Sequence, residues 1–286
     1  MQRLLLLLAL SLTPVFSEDI PTWRKGDVWT YETTFDATQF FTGFTGISSG
    51  QVITRGDTKY NVSRNQNYEE TRHYSLEIQG SFTTGNSGAK IEGVEGRIDI
   101  EYRGTDLIRV RDLAVSTSEF TLDIKFLPYN IGFLAQSFGE FTFETTYEPP
   151  KENYDFPIHL DDQWHMELHS TTIVTGSSDY IDPSQFDTRV NHKSSWQITE
   201  KGTPTDGERN IAYNGCDESY KINEVSASDI AQDYIWYCPA VRYNSWISVT
   251  NSAGFTIDWL LKNYRPVDSP YLTYTCNELK SKYTQN

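Results

Sequence analysis

The chain has 286 residues, 39 acidic against 24 basic side chains, a net charge of −15 and 14% aromatic residues. Such a negative surface repels phosphate backbones and anionic bilayers, which excludes nucleic acid and electrostatic docking on membranes as expected partners. No glycine-rich phosphate loop occurs, so phosphoryl transfer has no motif to stand on.

The first residues read as an address. Met1-Gln2-Arg3, the apolar run Leu4 to Leu12 and Val15-Phe16-Ser17 have the layout of a cleavable secretory signal, residues 1–17. The run is shorter than the ~20 residues of a spanning helix. The expectation is therefore a secreted or periplasmic protein with no stable membrane insertion after cleavage. That compartment permits a disulfide, and Cys216, Cys238 and Cys276 allow one pair with one thiol left over. The sequence does not choose among the three pairings. No His follows His192, which argues against cysteine–histidine catalysis. Asn61-Val62-Ser63 is a glycosylation sequon and reads as a surface site.

From Trp29 onward the chain reads as strands, rich in Thr, Tyr, Val, Ile and Phe and punctuated by Gly, Asn and Asp. Two stretches share one pattern: Gly26-Asp27-Val28-Trp29 and Asp161-Asp162-Gln163-Trp164 each place a tight turn two residues before a large aromatic. They divide the mature chain into two similar β halves, 18–148 and 149–286, with Pro149-Pro150 as the boundary because paired prolines cannot continue a ladder. Within the first half, Arg55-Gly56-Asp57 reads as a hairpin turn. In the second, Ser226-Ala227-Ser228-Asp229 reads as the start of a helix running to about Tyr237 and stopped by Pro239. Ser245 to Thr250 and Phe255 to Tyr264 make a hairpin, followed by a tail from Leu272 to Tyr283.

Trp236-Tyr237-Cys238-Pro239-Ala240-Val241 resembles a Trp-Tyr-small-Pro-x-Val segment that recurs in exported β domains. Pro157 to Trp164 is similar to their Pro-Leu-x-x-Gly-Asp-x-Trp opening, with Asp161 in place of Gly. Those domains look like the open, curved antiparallel barrels of lipoprotein-localisation factors. The resemblance covers mainly 155–265 and 22–33, and it implies a fold and a hydrophobic concavity rather than a reaction. Asp27, Trp29, Asp162 and Trp164 are then structural turn anchors, and Trp236 and Pro239 structural as well.

Candidate chemistry is sparse. His165, Glu167 and His169 alternate with Trp164, Met166 and Leu168, so a strand sets all three on one face, where they can hold a divalent metal such as zinc. His159 is a possible fourth ligand, although it lies before the turn. Asp179, Asp182 and Asp187 share a Pro-containing loop and are candidates for an ion or for turn capping. Phe40, Phe41 and Phe44 interrupt a polar loop and read as a lip over a cavity, a partner patch or core. The expected fold is all-β with one or two short helices, built as two strongly curved, open-barrel halves. The expected function is non-enzymatic: a concave sheet face, lined opposite the helix after Ser226, that binds an apolar small molecule or a protein partner without a cofactor. A carbohydrate-binding module, suggested by the many Tyr and Trp, is the alternative, and a metal-dependent enzyme on the His165 face the next.

Overall fold

A computed structural model of the protein describes residues 20–44, 50–129, 136–206, 209–225, 233–250 and 254–267. The signal region, Ser226 with the helix start, and Cys276 with the tail lie outside them.

The strands are β1 (Val28–Asp36), β2 (Ile53–Tyr68), β3 (Thr71–Thr83), β4 (Ala89–Ile91), β5 (Val94–Arg109), β6 (Val115–Pro128), β7 (Gln136–Lys151), β8 (Gln163–Ser177), β9 (Thr188–Gly202), β10 (Thr205–Asp206), β11 (Arg209–Asn210), β12 (Ser219–Val225), β13 (Tyr234–Cys238), β14 (Tyr243–Thr250) and β15 (Thr256–Arg265). Except for a separate β10–β11 hairpin they form one antiparallel sheet, ordered β3-β2-β1-β15-β14-β13-β12-β9-β8-β7-β6-β5-β4. Pairing of β3 with β5 then joins the two ends of that order, leaving β4 as an extra strand on β5. The result is a closed barrel of twelve strands, in place of the two open halves expected from the sequence. Closure is invisible in the pattern because it depends on which strands meet: β1 pairs along its whole length with β15, and β7 with β8.

The two halves are nonetheless similar at their openings. Gly26 N–H donates to the Val62 carbonyl at 2.7 Å and Val62 N–H to the Asp27 carbonyl at 3.0 Å. In the second turn Asp161 donates to Ile198 at 3.0 Å and Ile198 to Asp162 at 2.9 Å. The carboxylates of Asp27 and Asp162 each accept the backbone N–H three residues back, from Arg24 and His159, at 2.8 Å. Gly26 and Asp161 both take a left-handed backbone, with φ of 96° and 70°. Asp replaces Gly there because its short polar side chain tolerates that region better than most.

Three local readings change. Arg55-Gly56-Asp57 is not a turn: it lies inside β2, where Gly56 pairs with Thr33 on one side and Phe82 on the other. A side chain at Gly56 would run into the Ser81 backbone, so the glycine serves close strand approach. The proposed helix end is a strand, since Tyr234–Cys238 pairs with both β12 and β14. Pro149 and Pro150 fall inside β7 rather than between domains. The chain bulges there, four residues passing between Thr146 and Lys151 opposite the single residue Ser116, and the ladder to β8 ends at Glu148.

Both ends of the barrel are closed by aromatic clusters. At the end that carries the two opening turns, Trp23 and Trp29 pack on Tyr243 and donate their indole N–H groups to the carbonyls of Arg242 and Val241, both at 2.8 Å. Those carbonyls follow Pro239, which opens the 3₁₀ turn Pro239–Val241. The Trp236–Val241 segment is thus the cradle for the first turn. A disulfide between Cys216 and Cys238 ties the β11–β12 connection to it. At the other end the short helical turn Phe40–Phe44 folds inward, and Phe40 stacks on Phe255 at 4.5 Å and Phe186 at 5.4 Å.

Candidate functional site

Alternation along the strands sends one side chain in two into the barrel. Eight strands suffice to fill a barrel with side chains; twelve leave room between the aromatic plugs. The space left is a cavity of about 480 Å³. One part of its wall is apolar, with Leu122, Phe143, Leu168, Ile235, Ile257 and Trp259. The other part is polar and draws on both halves of the chain: Asp106 and Ser118 from β5 and β6, Lys151 from β7, His192 from β9, Glu224 from β12, and Asp233 before β13.

Asp106 is the centre of that polar part. Its Oδ1 accepts the Ser118 hydroxyl at 2.6 Å. The carboxyl is half-buried in the cavity wall, and this loss of solvation pushes its pKa up to about 6, against the opposing pull of Ser118 and Lys151. Four tyrosines share its surroundings. Burial raises Tyr60, Tyr102, Tyr147 and Tyr243 above the usual phenol range, and the Asp106 charge adds to the shift in each. All four line the cavity, and among the described residues none of their hydroxyls has a hydrogen-bond partner. Tyr60 is only 5% exposed, and its hydroxyl faces the cavity.

A second carboxylate pair lies across the lumen. Burial, then the charge of Asp233, raises the Glu224 pKa; burial also raises that of Asp233, whose carboxylate accepts the Thr250 N–H at 2.9 Å. Lys151 moderates Asp106, Glu224 and Asp233 from a distance but forms no ion pair among the described residues. Burial, and then Lys151, lowers the pKa of His192.

One part of the lumen wall, on β9, reaches the surface. β9 is paired with β8 from Thr188 to Gln197, but β12 covers it only from Ser195 onward. Val190 and His192 line the cavity and are nevertheless exposed, Val190 at 36%. Among the described residues, nothing pairs with the first part of β9 on that side.

The sequence-derived candidates lie elsewhere. His165, Glu167 and His169 do share one face of β8, the outer one, and each is engaged separately on β9: His165 with Ser195 at 2.8 Å, Glu167 with Lys193 at 2.7 Å, His169 with Asn191 at 2.9 Å. His159 is held by Asp162 in its turn. No group of three or more His, Cys, Asp or Glu among the described residues is placed to hold a metal ion. Asp182 caps a 3₁₀ turn by accepting Ser184 N–H, and Asp187 accepts Val174 N–H, so both act as caps. Phe40 and Phe41 are fully buried in the plug rather than forming a lip, and the side chain of Phe44 lies outside the described residues. Trp29 is fully buried and Trp164 nearly so, stacked on Trp196.

Reasoning from sequence passed over Asp106 and Lys151. The signal for Asp106 was a charge at an inward position of an otherwise apolar alternation, Ile98, Ile100, Tyr102, Gly104, Asp106, Ile108. No protein-family model, no curated protein and no solved structure matches the chain.

Proposed function

We propose that the protein is an exported, non-enzymatic binding protein that holds a small amphipathic molecule inside its barrel. The observation that carries this reading is the cavity inside the barrel, with apolar walls at one side and tyrosine hydroxyls without protein partners at the other. A cavity of about 480 Å³ falls within the ~300–1,000 Å³ range of small-molecule sites. Polar groups on a cavity wall that lack protein partners are satisfied by a ligand or by ordered water. Val190 and His192, which line the cavity and are exposed, mark a way in.

Export agrees with the disulfide and with the signal-like first residues. No helix among the described residues is long and apolar enough to cross a membrane. The outer wall supports a water-exposed barrel rather than a lipid-exposed one. It carries ion pairs along the strands, among them Arg97–Asp99, Arg103–Glu101, Lys125–Asp123 and Lys193–Glu167. Charges at such positions on a lipid-facing wall are strongly destabilising.

Native mass spectrometry of the purified mature protein tests the reading. A bound species that survives gentle ionisation and is lost on denaturation is expected. A bare polypeptide that also takes up no member of a panel of single-chain amphiphiles would refute it.

A further inference from the structure

The charges inside the lumen do not balance. Three carboxylates, Asp106, Glu224 and Asp233, face one ammonium group, that of Lys151, and His192 is pushed toward its neutral form. Lys151 is not committed to any of the three, so the lumen lacks positive charge at the Asp106 pole in particular. One oxygen of Asp106 is held by Ser118, and no hydrogen bond reaches the other among the described residues. Around it stand Tyr60 and Tyr243, more than nine-tenths buried and with hydroxyls unpartnered, and Tyr102 and Tyr147 beside them. Hydroxyls that face a cavity without a protein partner mark a place that a ligand's polar atoms or water fill.

Resting on the lumen reading above, we propose that the ligand is a cationic amphiphile: an alkyl or aryl chain against the Leu122–Leu168–Trp259 side, with an ammonium group at Asp106. A carboxylate enclosed by aromatic side chains suits an ammonium group, which gains charge-assisted hydrogen bonding and attraction to ring faces together. A fatty acid would bring a fourth carboxylate into a lumen that already has too many. The protein's charge of −15 works in the same direction, drawing cations in and holding anions off.

The test compares three probes of equal chain length, decylamine, 1-decanol and decanoate, binding to the full mature protein by calorimetry near pH 7.5, where the amine is charged. Decylamine is expected to bind about tenfold or more tighter than decanol, the ratio that corresponds to one hydrogen bond to a charged group, with decanoate weakest. In Asp106→Asn that advantage falls to within about threefold while decanol binding is unchanged; Glu224→Gln, farther from the headgroup, removes a smaller part of it. Decanol binding as tightly as decylamine, or Asp106→Asn weakening both equally, would overturn the ammonium assignment and leave the lumen reading standing. Failure of all three probes to bind would overturn both.

Discussion

Asp106→Asn also tests the electrostatics of the lumen without any ligand. The carboxyl has a folded pKa of about 6 against an ordinary value of 3.8, chiefly through burial. Because the folded value is the higher one, folding favours the protonated form. The stability this gives is fully present below about pH 4 and is lost as pH rises through 6. By pH 8 the charged carboxylate costs the fold on the order of 3 kcal/mol. Asparagine keeps the shape and removes the charge, so the variant should be more stable than the parent at pH 8 by up to that amount. In a chain of this size that corresponds to a rise of about 5–10 °C in Tm. Near pH 4 the difference should shrink to about 0.5 kcal/mol, since the folded carboxyl is then protonated and the unfolded one only a little more than half ionised. Thermal unfolding of parent and variant, stripped of ligand and followed by circular dichroism at both pH values, measures the difference directly. Other groups titrate in the same window, but they cancel in the comparison. A stability difference that does not change with pH would show that Asp106 is effectively solvated, and the argument for its role would fail.

Four further outcomes follow from the wall and its plugs. Asp27→Ala removes acceptors for the N–H groups of both Arg24 and Val267, and should destabilise by about 3 kcal/mol in urea titration, more than Asp162→Ala, whose side chain is partly exposed. Phe40→Ala empties a fully buried position in the upper plug and should lower stability by about 3–5 kcal/mol, with increased binding of a hydrophobic dye. Cys238→Ser, paired with Cys216→Ser, opens a loop of 22 residues' separation and should cost about 3 kcal/mol in the same titration. Removing both His165 and His169 should leave the unfolding midpoint within about 0.5 kcal/mol of the parent's and make no change to metal content, because both side chains sit on the solvated face of β8.

What the sequence revealed and what it hid have physical causes. Strand content was legible because inward and outward side chains differ in polarity, as in Leu122, Ile124 and Phe126 on β6. The paired turns were legible because one geometry, an Asp carboxylate reaching back to the N–H three residues earlier, needs the same residue in both places. Closure of the barrel was not, since it rests on β1 meeting β15 and β3 meeting β5, contacts that leave no local mark. Phe40 illustrates the same limit: a phenylalanine in a polar loop looks exposed until the loop is seen to fold into the barrel mouth. The His165 face shows the opposite limit. Period two correctly placed its three side chains together, yet it could not say that their side was the water side, where Ser195, Lys193 and Asn191 on β9 engage them one by one.

The lumen exists only because the two halves close on each other. Asp106, Tyr102 and Lys151 come from β5 to β7, whereas His192, Glu224, Asp233 and Tyr243 come from β9 to β14. Neither half alone forms the cavity wall in which the Asp106 carboxyl is half-buried, so neither alone would shift it or give it four tyrosines. The charge imbalance is therefore a property of the assembled barrel. The lumen wall reaches the surface at Val190 and His192, which suits admission of a molecule there, ammonium group toward Asp106 and chain toward Leu168. Val190→Trp should then slow ligand exchange while leaving the equilibrium preference for amine over alcohol intact, and stopped-flow release of a fluorescent amine from that variant would read that rate. Unchanged release would mean that the ligand enters through an end plug instead.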